Sequence, residues 1–175
     1  QFRQEFECEF IGSTNTLIAA SKLRSLAFHT PKETHGHLDV YEAPQKDHTY
    51  TITVDTSRGL NIDYSAFCVI DVTQLPYKVV AKFRDNQVSP LVYPSTIANV
   101  GKTYNYAFVL VEVNDIGQQV ADILHHELEY ENILTTTIKG RAGQQISGGY
   151  SRGVQFGVKT TKQVKGIGCA TLKTL

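Results

Sequence analysis

The sequence contains no methionine, no apolar run approaching the roughly 20 residues of a membrane span, and no net charge. Opening on Gln1 and lacking any translation start, the chain is expected to be a piece of something larger. Neither a spanning segment nor a basic-then-apolar leader is present, which predicts a soluble piece with no membrane contact. Cysteine is scarce: Cys8, Cys68 and Cys169 are scattered and show no CxxC spacing. That disfavours a disulfide framework or zinc centre and suits reduced packing thiols in a cytosol. With 17 basic and 17 acidic side chains, bulk electrostatics gives no attraction to nucleic acid. The total hides a segregation, however. No Asp or Glu follows Glu131, whereas Lys139, Arg141, Arg152, Lys159, Lys162, Lys165 and Lys173 do. One end could hold a phosphate backbone and the other cations, or the lysines could simply form a solvated surface.

What is present is enough for one core: 175 residues, 41% of them hydrophobic, exceed the minimum for a domain and fall short of two comfortable ones. YTITV from Tyr50 alternates toward Asp55, TSRGLNI reads as a turn, and YSAFCVIDV and YKVVAKF complete a three-stranded meander. Tyr93 to Tyr104 can form a short helix with Ile97 and Val100 inward. YAFVLVE from Tyr106 is too continuously apolar for a sheet with one wet face and predicts a buried central strand. Asn114 or Asp115 can then cap a helix bearing Ile116, Val120, Ile123, Leu124 and Leu128 on one face. Asn132 to Ile138 reads as a further strand, followed by a Gly-rich stretch and a last helix from Val158 that Gly166 and Gly168 weaken. The polar stretch from His29 to His48 resembles a linker, within an N-terminal extension packed on the domain. The pattern predicts an α/β fold, a mixed central sheet with helices on both faces.

Asp55 and Glu112 stand at the carboxyl ends of two predicted strands, so if those strands are neighbours the acids meet. A carboxylate closing so apolar a strand is costly to bury unpaired, and a shared divalent cation removes that cost. Asp63 adds a third acid at the opening of the second strand. Each has a plainer reading: an Asx-turn for Asp55, an exposed strand end or lysine partner for Glu112, turn chemistry for Asp63.

VDTSRG followed by DYSAF, then FVLVEVNDIGQQVA and ENILTTTIKGRAGQ, resembles the nuclease domain of the large terminase subunit of large tailed bacteriophages, over roughly residues 45 to 175. The resemblance implies an RNase H-like, resolvase-related fold. It also implies cleavage of concatemeric double-stranded DNA by two-metal hydrolysis, with Mg2+ as the ion and Mn2+ as substitute. It carries the family's acids onto Asp55, Glu112 and, for the phage enzymes, Asp63; Asp55 would bridge both ions. The family's remaining ligand, an Asp on a late helix, falls downstream of KTTKQVKGIGCATLKTL. Residues 49–175 are therefore expected to be a C-terminally incomplete nuclease domain, and residues 1–48 an extension from a preceding ATPase domain. A portal ring, a small terminase subunit and a host-cytoplasmic location are implied in the same way.

GRAGQQISGGYSRG lacks the GxxxxGK[ST] arrangement, which excludes an ATP phosphate loop. It is expected to be a mobile hairpin that brings Lys139, Arg141 and Arg152 to DNA, with Lys159 and Lys162 beyond it. Arg58, in the turn after Asp55, either touches a phosphate or closes the turn. His35 with His37 lacks a partner at metal-ligand spacing, and His125 with His126, on adjacent positions of a predicted helix, point in different directions. Two rivals stay open: a non-catalytic DNA-gripping module with structural acids, and a resolvase or transposase of the same fold.

Overall fold

The computed structural model describes residues 28–138, 144–148 and 154–174, with isolated positions 18, 22 and 25. Residues 30–160 form one compact unit, and residues 161–175, with 1–29, are assigned to a second. In chain order the first unit holds β1 (Glu33–His35), β2 (Leu38–Val40), β3 (Tyr50–Asp55), β4 (Ser65–Asp71), β5 (Lys78–Asp85), α1 (Tyr93–Thr103), β6 (Phe108–Val111) and α2 (Gly117–Asp122), which runs on into a π-helical turn at Ile123–Glu127. β7 (Leu134–Ile138), β8 (Gln144–Gly148) and β9 (Gln155–Phe156) follow.

Six strands form one sheet in the order β1-β2-β5-β4-β3-β6. All neighbours are antiparallel except β3 and β6, which run parallel. A parallel neighbour requires a crossover, and α1 supplies it between β5 and β6. Pro94 starts α1 at a position where its missing N–H costs nothing.

Period-two alternation decides which face is covered. Ile52, Val54, Phe67, Val69, Val109 and Val111 point to the core and are at most 4% exposed. They meet Tyr93, Ile97 and Ala98 of α1 and Val120, Ala121 and Leu124 of the second helical segment. Phe67 and Phe83 stack with centroids 5.1 Å apart, and both lie over the Tyr93 ring. Burial of each such side chain contributes roughly 1.5–3 kcal/mol. The alternate residues of the same strands, Thr53, Asp55, Ala66, Cys68 and Leu110, face the other way and are exposed or half-buried.

Three expectations need correction. The polar stretch 29–48 is not a mere linker: β1 and β2 within it pair as a hairpin and extend the sheet beside β5. Gly36, at φ 61°, provides the left-handed turn residue between them. The strand foreseen at 132–138 begins at Leu134 and joins a second, three-stranded sheet of order β8-β7-β9. Among the described residues, a bridge between Ile133 and Val109, with the Val109 amide donating to the Asn132 carbonyl at 2.8 Å, ties its start to the main sheet. Finally, Asn114 and Asp115 do not cap α2, whose N-cap is Ile116 with no side-chain bond; their side chains are used elsewhere.

In the second unit, α3 (Lys162–Thr174) forms despite Gly166 and Gly168. Thr161 caps it, its hydroxyl oxygen accepting from the Val164 amide at 3.2 Å.

Candidate active site

The parallel register of β3 and β6 creates the site. It pairs Thr51 with Phe108 and Val54 with Val111, so one further step along both strands sets Asp55 beside Glu112. The Glu112 amide donates to the Val54 carbonyl at 2.9 Å, which fixes that step. On its other side Glu112 bridges Val158, where the Val113 amide donates to the Val158 carbonyl at 2.9 Å. α2 then starts so close to Glu112 that a Cβ on Gly117 would collide with the Glu112 carbonyl, so glycine is required there. Both acids line an open cavity of about 320 Å³ together with Thr53, Ala66, Cys68 and Leu110. Burial pushes the Cys68 thiol up, as expected of an inert packing cysteine.

Asp55 is exposed yet uncomfortable. Partial burial and the neighbouring Glu112 charge raise its carboxyl above the ordinary carboxylate range. A hydrogen bond from the Thr56 amide pulls the other way, while a bond shared with Glu112 and the charge of Asp63 push further up. From below, the buried Tyr93 hydroxyl donates to the Asp55 carbonyl at 3.3 Å. Asp63 lies in the loop before β4, where its Oδ1 accepts from the Tyr64 amide at 2.8 Å. That loop is pinned by Ser57, whose hydroxyl donates to the Asp63 carbonyl at 3.0 Å and whose amide donates to the buried Ser65 hydroxyl at 3.0 Å. The structure thus brings Asp55 and Glu112 together and leaves Asp63 acting on Asp55 through its charge.

Asn114 was legible only as a helix cap, and its amide serves Glu112 instead. Its Nδ2 donates to Glu112 Oε1 at 2.9 Å and to the Thr160 carbonyl at 3.1 Å. Both neighbours are acceptors, so the nitrogen must face them. Oδ1 is consequently buried, with no hydrogen-bond partner among the described residues. Asp115, the other supposed cap, instead takes Arg58 in a two-pronged ion pair: Nε to Oδ2 at 3.0 Å and Nη2 to Oδ1 at 2.7 Å. Arg58 therefore reaches out of its own turn to the loop after Glu112.

Among the described residues, no three His, Cys, Asp or Glu side chains stand close enough to hold an ion. The donor chemistry nonetheless fits a hard cation: two adjacent carboxylates that repel each other, both lining an open cavity. Magnesium is commonly held by one or two carboxylates with water and substrate phosphate completing its shell. Of the anticipated basic contacts, Lys139, Arg141 and Arg152 lie outside the described residues. Lys159 is exposed next to Val158, the bridge partner of Glu112, and Lys162 is exposed on α3 in the second unit. His125 and His126 pack around Phe156, with centroid distances of 4.2 and 6.0 Å.

A mixed sheet of this order with its crossover helix defines an RNase H-like α/β fold. It matches the crystal structure of the large terminase nuclease from thermophilic phage G20c with bound cobalt, at a TM-score of 0.65 and 21% identity, over 94% of this chain and 71% of that one. The zinc-bound structure of the same nuclease matches at a TM-score of 0.59 and 20% identity, over 83% and 69% of the respective chains. The Terminase RNaseH-like domain family matches residues 52–175, and the chain belongs to that family. The terminase large subunits of Thermus virus P23-45 and Thermus phage G20c are 28% and 27% identical to it over 124 residues, 71% of this chain. The chain spans about a quarter of the length of these relatives, 24% in each case.

Proposed function

We propose that this domain is the metal-dependent endonuclease of a viral DNA-packaging terminase, hydrolysing phosphodiester bonds of concatemeric double-stranded DNA. The carrying observation is the Asp55–Glu112 pair, set side by side by strand register at the edge of an open cavity. Membership of the terminase family supports the reading, as do cobalt and zinc bound to nucleases of the same fold.

In this reading Asp55 and Glu112 hold the cation, with Asp63 adding negative charge nearby. Mg2+ is the expected ion because carboxylate oxygens are hard donors, and Mn2+ substitutes. When bound, the ion lowers the pKa of an attacking water and stabilises the leaving oxygen. The chain's own residues prepare for this. Burial and the neighbouring Glu112 charge raise the Asp55 carboxyl, and a cation held between the two would relieve that repulsion. Asn114 fixes the Glu112 carboxylate by holding Oε1, and the Thr160 carbonyl fixes Asn114 in turn. In the whole protein, an ATPase domain, a portal ring, a small terminase subunit and the host cytoplasm form the proposed setting.

The test is nicking and linearisation of supercoiled plasmid with Mg2+, Mn2+ or chelator, beside Asp55→Ala. Metal-dependent cutting that disappears in a folded Asp55→Ala protein is expected. Cutting retained by that variant overturns the site, and DNA binding without cutting in any lane returns the domain to a gripping role.

A further inference from the structure

Arg58 follows Asp55 by three residues and Asp115 follows Glu112 by three, so their ion pair joins the two loops that leave the acid-bearing strands. Both side chains remain open to solvent, 63% and 64% exposed, and Asp115 holds a left-handed backbone at φ 50°. An exposed pair of this kind is weak, because water and salt screen it. Its geometry, by contrast, is specific. Two parallel N–H···O bonds from one guanidinium to two oxygens of one anion are the contact that arginine also makes with phosphate. Asp115 therefore presents to Arg58 the same fork of oxygens that a phosphodiester would.

We infer that Asp115 is a stand-in for phosphate: it occupies Arg58 in the free domain and yields it to the DNA backbone beside the ends of the acid-bearing strands. This rests on the nuclease reading and extends it, by assigning Arg58 as a backbone contact and Asp115 as its built-in competitor. The exchange has a purpose in charge terms. Asp55, Glu112 and Asp63 make this end of the sheet acidic, and with Arg58 neutralised that end repels DNA. Release of Arg58 onto a phosphate coincides with DNA approach, and it also frees the loop that follows Glu112. No bond is made or broken; one acceptor of the guanidinium replaces another.

The experiment is duplex binding, by anisotropy of a short fluorescein-labelled DNA, with calcium in place of magnesium and at several salt concentrations. It uses the wild type, Arg58→Ala, Asp115→Asn and the double variant. Asp115→Asn should tighten binding by about 3- to 10-fold, and Arg58→Ala should weaken it by a similar factor and reduce the salt slope by about 1. In the Arg58→Ala background, Asp115→Asn should change nothing. Equal tightening in both backgrounds would show that Asp115 acts as a general repulsive charge, and an unchanged or weaker Asp115→Asn would show no competition; either overturns the exchange. Plasmid cutting by the same four proteins keeps the two readings apart. A cutting enzyme with no Asp115 effect loses only the exchange, whereas an Arg58-dependent Asp115 effect without cutting loses only the nuclease. A wild type that binds no duplex loses both.

Discussion

Asp55 and Asp71 sit at opposite ends of the paired strands β3 and β4, about 17 Å apart along the strand direction, and their surroundings push them in opposite senses. At the Asp71 end, burial alone would raise the carboxyl, but bonds from the Thr73 hydroxyl, His48 and the Thr73 amide outweigh it and bring it to about 2. His48 Nδ1 lies 2.7 Å from Asp71 Oδ2, and the Thr73 amide donates to Oδ1 at 2.9 Å. At the Asp55 end, burial and Glu112 raise the carboxyl, and the partner is another acid. A carboxylate held by donors ties β4 to the segment before β3; one set beside another acid is, on the proposed nuclease reading, relieved by a cation. The same residue type on the same two strands thus has opposite surroundings at the two ends.

Breaking the poised end should cost most. Asp55→Asn or Glu112→Gln is expected to reduce plasmid cutting on the order of 10⁴-fold while the circular dichroism spectrum is unchanged. Asn114→Ala, which frees Glu112 to reorient, should lower cutting or Mn2+ affinity by about 10- to 100-fold. Asn114→Asp should also move the pH optimum upward, because a third carboxylate then faces Glu112.

Stability should respond with opposite signs at the two ends. Asp71 has a depressed carboxyl in the folded state, so its contribution is present above the ordinary value near 3.8 and is lost as pH falls toward about 2. Asp71→Asn should therefore destabilise by about 1 kcal/mol at neutral pH, after allowance for screening, and lose that deficit in acid, with cutting retained. Asp55 has a raised carboxyl, so its charged form opposes folding at neutral pH and the penalty fades as pH falls below its raised value. In chelator, Asp55→Asn should melt slightly higher than the wild type at pH 7, with no advantage in acid. Thermal melts across pH check both signs; a stabilised Asp71→Asn would erase the contrast.

The meander and the helix over 93–103 were legible because their apolar periodicity is long, and so was the strand at 108–111; its continuous apolar run was read as central, whereas it lies at the end of the six-stranded sheet, its far side met by bridges to Ile133 and Val158. Asp55 and Glu112 were legible as strand ends, but only the register of β3 on β6 shows that they touch. Asn114 and Asp115 misled because cap-type residues before an apolar periodic segment favour capping locally, and here contacts from Glu112, Thr160 and Arg58 override that preference. The hairpin at 33–40 escaped notice since three-residue strands carry too little alternation to register as such. The antiparallel pairing of β7 with β8 falls where the Gly-rich stretch was read as a hairpin, whereas the pairing with β9 and the separation from the main sheet are long-range matters on which local pattern is silent.

The central claim is that Asp55 and Glu112 meet in order to share a cation, and calorimetric titration of Mn2+ into the metal-free domain tests it most directly. Saturable binding by the wild type, abolished by Asp55→Asn and by Glu112→Gln, is expected. Binding undiminished in both variants, or no binding by the wild type, would contradict it.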